Sequence, residues 1–251
     1  MQKTKYFIKS IYTFLWLFLL ISSSSLIASK YDVSSISEEL KKDANSVFRL
    51  NNQEYIFHGP SAYTERIETV VTIMKEAGKS SGYLVIPYDS HSKARFVEGE
   101  IFDASGKSIR KIRHKDLVDY SAMQGFSLYE DNRVLTYDPK IFQYPYTVRY
   151  VYEISYRRGM YYSNTFFPVE SFNSSAESAV LTILFPEGLT VKYEEYNIPE
   201  GLKTKIADKK YIQWQWKFKN IPAVKHEYLA PSLRDISYAV MFACNEFTFE
   251  S

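Results

Sequence analysis

Tyr144-Pro-Tyr-Thr-Val-Arg-Tyr-Val-Tyr-Glu-Ile-Ser-Tyr-Arg-Arg158 decides the fold class. Tyr146, Val148, Tyr150, Tyr152, Ile154 and Tyr156 alternate with Thr147, Arg149, Glu153, Ser155 and Arg157, and only Val151 interrupts the polar set. Side chains on a strand alternate faces with a period of two, so the stretch reads as a long strand with a buried aromatic face and a wet polar face. Antiparallel sheets with one solvated side give that pattern. At ~3.3 Å per residue the stretch would reach about 50 Å, longer than a usual strand. A bend is therefore expected, with a bulge or sheet crossing at Val151.

The same alternation spreads outward from this stretch. Ile212, Trp214, Trp216 and Phe218 share one face, with Tyr211, Gln213, Gln215, Lys217 and Lys219 on the other. Upstream, Ile67, Thr69, Val71 and Ile73 line one face of Tyr63 to Lys75, which is expected to pair with Gln53 to His58. Tyr83 to Tyr88, Arg133 to Tyr137, Ser178 to Phe185, Leu189 to Tyr196 and Tyr238 to Phe242 also read as strands. Ala94 to Phe102 and Ser108 to Arg113 flank Asp103-Ala-Ser-Gly106, a turn whose glycine can take positive φ. Asp119 to Tyr129 has no clear period and reads as a loop.

A load of 22 Tyr and 17 Phe suits pleated, half-buried surfaces. The fold class predicted is mainly β: an antiparallel two-sheet β-sandwich with one N-terminal amphipathic helix. That helix is expected over Ile36 to Arg49, where Ser35 and Glu38 have capping-box spacing and Ile36, Leu40, Ala44 and Val47 recur on one face.

Residues 1–28 read as a secretory signal peptide. Lys3, Lys5 and Lys9 precede the apolar run Ile11 to Ile21, and Ser22 to Ser29 supply small residues for cleavage, with Ala28 as the last residue removed. The run is about half the ~20 residues of a spanning helix, so no stable membrane insertion is expected after cleavage. Residues 29–251 then form a single domain, exported to the periplasm or the extracellular space. Removing the three lysines takes the formal charge from +2 to about −1, which leaves no basic excess to attract nucleic acid.

Candidate chemistry is sparse. Cys244 is the single cysteine and ends a strand, whereas catalytic thiols favour helix N-termini; a structural thiol is the reading. His58, His91, His114 and His226 are scattered, without the His-x-x-x-His or His-Glu-x-x-His spacings of metal sites. No nucleophile elbow, dinucleotide fingerprint or P-loop is present. No catalytic, metal or cofactor-binding residue is therefore assigned, and no cofactor is expected. Arg110, Lys111, Arg113, His114 and Lys115 read as a solvated strand edge, diluted by Asp116 and Asp119. Trp214 and Trp216 suggest a sugar platform, but their shared apolar face reads as core. Tyr161 and Tyr162, in a turn region, are the better candidates for an exposed aromatic contact.

Five stretches carry a family resemblance: Asp43-Ala-Asn-Ser-Val-Phe-Arg49, Phe102-Asp-Ala-Ser-Gly-Lys107, Tyr129-Glu-Asp-Asn-Arg133, Tyr144-Pro-Tyr-Thr-Val-Arg-Tyr-Val-Tyr152, and Trp216-Lys-Phe-Lys-Asn-Ile-Pro-Ala223 followed by Glu227. In this order they resemble the domain of unknown function 3857, an exported β domain common in Bacteroidetes and related bacteria. The resemblance covers about residues 36 to 247. In that family the β domain usually precedes a transglutaminase-like domain with a Cys-His-Asp triad, and no triad residue has a counterpart here. The resemblance implies a non-catalytic accessory or binding module of an envelope transglutaminase- or protease-like system. Its partner would be a protein or glycan at the cell envelope, for instance a transglutaminase-like protein. The alternatives are the N-terminal part of a split or truncated thiol enzyme, and a glycan-binding module.

Overall fold

The structure, a computed structural model, describes residues 30–121, 132–157, 164–208 and 210–244. The expected signal peptide, and Tyr161 and Tyr162, lie outside these residues. One sheet dominates, with eight strands in the order β12 (Lys203–Ala207), β13 (Tyr211–Ile221), β10 (Ser174–Pro186), β1 (Ser46–Gly59), β2 (Ala62–Ile73), β8 (Tyr146–Tyr156), β4 (Ser92–Phe102) and β5 (Ser108–Ile112). Two three-stranded sheets accompany it. One runs β11 (Val191–Tyr196), β14 (Ala239–Cys244), β9 (Asn164–Phe166); the other runs β3 (Leu84–Tyr88), β7 (Arg133–Tyr137), β6 (Val118–Ser121). The chain is mainly β, as its alternation predicts.

Strand alternation explains where the core sits. In β8, Tyr146, Val148, Tyr150 and Ile154 are buried. They stand opposite Ile73, Val71, Thr69 and Glu65 of β2, so these residues share one face. Tyr63 and Val71 lie on that same face of β2, being an even number of residues apart. Tyr63 joins a cluster with Leu181, Trp216 and Phe218 beneath Phe166, Val240 and Phe242 of the first small sheet. Val71 joins another with Phe96 and Ile101 beneath Leu84, Ile86 and Leu135 of the second. Both small sheets thus cover the same face of the large one. Each large apolar side chain enclosed there contributes about 1.5–3 kcal/mol.

The opposite face is wet and charged. Arg66 pairs with Glu54 at 2.9 Å and with Glu153 at 2.8 Å, and Arg95 reaches the second oxygen of Glu153 at 2.8 Å. Arg149 bridges Glu68 at 2.7 Å and Glu98 at 2.6 Å. These are the polar residues that the alternation assigns to solvent.

Four expectations are corrected. First, the sheet is mixed: β10 runs parallel to β1 because it returns alongside after the long excursion through β2 to β9. Second, the layer over the large sheet is divided into two sheets, so the arrangement is not a simple two-sheet sandwich. Third, the helix shrinks to one turn, α1 (Glu38–Lys41), with the hydroxyl of Ser37, not Ser35, accepting from Leu40 N. Asp43 takes φ 58° and the next residues join the sheet, where Asn45 N donates to Asn173 O at 2.6 Å. Backbone pairing of Asn45 and the β-branched Val47 wins over weak helical propensity. Ile36, Leu40, Ala44 and Val47 are nonetheless buried together, as the shared face requires. Fourth, β8 pairs with β2 without interruption, and the bulge lies in β4, between Phe96 and Glu98, opposite Tyr152 and Val151.

The Asp103 to Gly106 hairpin forms as expected, with Gly106 at φ 76° and Asp103 Oδ1 accepting from Ser105 N and Lys107 N, both at 3.0 Å. One further helical turn, α2 (Leu233–Ile236), precedes β14. Among the described residues no helix is long and apolar enough to cross a membrane.

Candidate functional site

Between the two small sheets, the middle of the large sheet's inner face stays open as a cleft of about 380 Å³. Asn51 and Gln53 of β1, Ile67 and Thr69 of β2, and Tyr150 and Tyr152 of β8 form its floor. Ser80, Ser81, Tyr83, Leu84 and Val85 make one wall, running from the 3-10 turns Glu76–Gly82 into β3. Glu170 and Ser171, in the chain that leaves β9, make the other.

Hydrogen bonds fix both walls to the floor. The Tyr150 hydroxyl donates to Gly82 O at 2.8 Å. Asn51 Nδ2 donates to Phe167 O at 3.2 Å and to Pro168 O at 3.3 Å. A chain of serine hydroxyls then joins wall to wall: Ser81 to Ser46 at 3.0 Å, Ser46 to Ser174 at 2.8 Å, and Ser174 to Ser171 at 2.8 Å. Sites supported in this way by sheet strands keep their geometry.

Glu170 is exposed at the rim; crowding by the wall pushes its carboxyl upward from the ordinary value, opposed by the positive charge of Arg234. Glu65, on the floor's face of β2, is half-buried and also pushed up by burial, although the Tyr55 hydroxyl donates to it at 2.7 Å. The Tyr152 hydroxyl is raised by burial first and then by Glu65 and Glu170. Beyond it Tyr63 and Tyr156 stack at 4.3 Å and 13°, and burial, aided by Glu65, pushes Tyr156 up to about 12. These phenols stay protonated at neutral pH, so the arrangement supplies hydrogen-bond donors rather than an activated nucleophile.

Cys244 is buried at the end of β14, opposite Val191, and packs in the core with Trp216. All four histidines are exposed, on β1, in the turn before β4, in the 3-10 turn after β5 and in the segment before α2. Among the described residues no group of three or more potential ligands gathers as a metal site. Arg110 and Lys111 lie on β5, a terminal strand whose first four residues are exposed. Trp216 is fully buried and donates to Glu195 Oε1 at 2.5 Å, which removes it from any sugar platform. Trp214 is half-buried, with its ring 4.8 Å from that of Phe185. The structure thus brings none of these residues to the cleft. What sequence reading missed were the polar residues at inward positions, Asn51, Gln53 and Glu65, which break an otherwise apolar alternation.

Fold and cleft together define a mainly β domain with a groove of ligand size across one face of its main sheet. The family model DUF3857, a domain of unknown function with a solved structure, matches residues 60–225. The chain belongs to this family. No curated protein matches it. Among solved structures it is similar to a "putative protease" from Parabacteroides distasonis ATCC 8503, at 16% identity and TM-score 0.68, over 79% of this chain and 40% of that one. An M1 zinc metallopeptidase from Deinococcus radiodurans, with bound Tyr-Ser-Ala substrate, is matched at 9% identity and TM-score 0.37, over 79% of this chain and 42% of that one. The chain therefore spans about two fifths of the length of these structures.

Proposed function

We propose that the chain is a non-catalytic, exported binding module of a bacterial envelope transglutaminase- or protease-like system, and that its ligand occupies the central cleft. The observation that carries this reading is the cleft itself. Its walls are hydrogen-bonded to its floor through Tyr150 and Asn51, and Gln53, Thr69 and Tyr152 add amide, hydroxyl and phenol groups to its lining, the phenol kept protonated by burial. Pockets that mix aromatic surface with a few convergent polar groups are the usual binding sites. The fold shared with part of a larger protein named as a protease supports a role beside an enzyme. The burial of Cys244 supports a structural thiol.

Assays of the purified chain for peptide hydrolysis and amide cross-linking, with Cys244→Ala in parallel, test this reading. The expected result is no turnover that the substitution removes. Turnover lost in Cys244→Ala would overturn the non-catalytic reading. The second reading, the N-terminal part of a split or truncated thiol enzyme, draws on the same two-fifths coverage. A reading frame for a transglutaminase-like protein next to this one would favour it too.

A further inference from the structure

We propose that the ligand of the cleft is an extended peptide, uncharged or weakly basic, that adds as a strand to the open edge of β3. This rests on the cleft being the binding site, and it commits to how the ligand is held. β3 ends its sheet: β7 pairs it along one side, and no described strand pairs the other. Tyr83, Leu84 and Val85 line the cleft. An edge strand presents a row of backbone N–H and C=O groups with the spacing of another peptide backbone, which a sugar does not match.

The edge is guarded only in part. Leu84, Val85 and Ile86 carry no charge. Pro87 has no N–H, so within its pairing with Val134 it turns its carbonyl to the open side, and Tyr83 N already donates to Ser80 O. Val85 lies between them and faces the open side with both its N–H and its C=O. Val85 is 57% exposed and Tyr83 42%, so apolar surface flanks the unpaired edge. Across the cleft, β9 likewise ends its own sheet, and the chain leaving it forms the facing wall. An inserted strand would lie between the two small sheets and make the divided layer continuous. Beneath it, Gln53, Thr69 and Tyr152 would meet alternate side chains of the peptide, and among the described residues of the lining Glu170 is the one acidic side chain, with no basic one beside it. That composition sets the preference for uncharged or weakly basic sequences.

The test titrates the purified chain with a pool of unstructured twelve-residue peptides, uncharged and basic, and with a panel of soluble glycans. Affinity and backbone amide exchange are both read. Peptide binding that slows exchange of the Val85 amide, and that falls about tenfold or more in Val85→Lys, supports strand addition. Val85→Glu serves as the second edge charge should Val85→Lys fail to fold. Peptide binding untouched by either edge charge but weakened by Tyr152→Phe overturns strand addition while the cleft remains the site. Glycan binding weakened by Tyr152→Phe does the same. If no peptide or glycan protects residues 48–53, 67–71, 80–85 or 150–152, both the peptide and the cleft fall.

Discussion

Glu65 shares its face of β2 with Tyr63 and Ile67, and its carboxyl accepts from the Tyr55 hydroxyl at 2.7 Å. Burial raises its pKa, so folding favours the protonated form and takes up a proton. The sign follows: the group costs nothing well below its ordinary value of 4.5, and the cost grows as pH rises through that value toward the raised one. Glu65→Gln, whose amide oxygen can still accept from Tyr55, should therefore be more stable than the parent at pH 7 and lose that advantage at pH 4. Urea midpoints at the two pH values check this; an equal or greater advantage at pH 4 would contradict it. At this scale the sequence was readable but ambiguous. Asn51, Gln53 and Glu65 visibly occupy inward positions once alternation is traced, yet alternation does not tell which inward polar residue abuts a gap and which is satisfied inside a packed layer.

Among elements, the 3-10 segment Glu76–Gly82 shows how the cleft wall is held. Gly78 packs on the backbone of Asn45, where an added Cβ would come within 2.2 Å of Asn45 O. Since Asn45 O accepts from Met74 N at 2.9 Å, neither side yields without moving backbone. Gly78→Ala should cost about 1–3 kcal/mol and loosen the wall that carries Ser80 and Ser81; urea denaturation gives the cost and amide exchange across residues 76–85 the loosening. Long strands were legible because period two repeats over many residues, as in β2, β8 and β13. The helical spacing over Ile36 to Arg49 comes from a turn followed by a strand, which together bury residues at helical intervals. β9 and β12 are short, and the Lys-Thr-Lys-Ile-Ala of β12 has little apolar signature. The bulge lies one strand away from the irregular residue of the sequence pattern, because Val151 stands opposite it while Val97 supplies the extra residue.

For the whole molecule, sheet order follows from contacts that no local pattern encodes: β1 meets β10 across more than a hundred residues of chain. That pairing makes the two core clusters parts of one sheet, with Tyr156 packed against both. Tyr150 lies in one cluster, 3% exposed, while Trp214 and Trp216 report on the other. Tyr150→Asp buries an unpartnered charge at a cost of several kcal/mol, comparable to the whole stability of a domain. It should abolish folding in both halves, read as loss of native tryptophan fluorescence together with loss of sheet signal in circular dichroism. A mutant that keeps the tryptophan environment native while the β3 and β7 side melts would show the halves to be independent.

The charged outer face has a consequence for assembly. A broad sheet surface invites stacking by another sheet, but here each of Arg66, Arg95 and Arg149 already has a carboxylate within hydrogen-bonding distance. Any protein settling on that face must strip water from ions whose attractions are already satisfied, and it gains little in return. The ladder acts as a hydration shield: it disfavours stacking on that face, and on the reading proposed above binding falls to the side where the cleft opens.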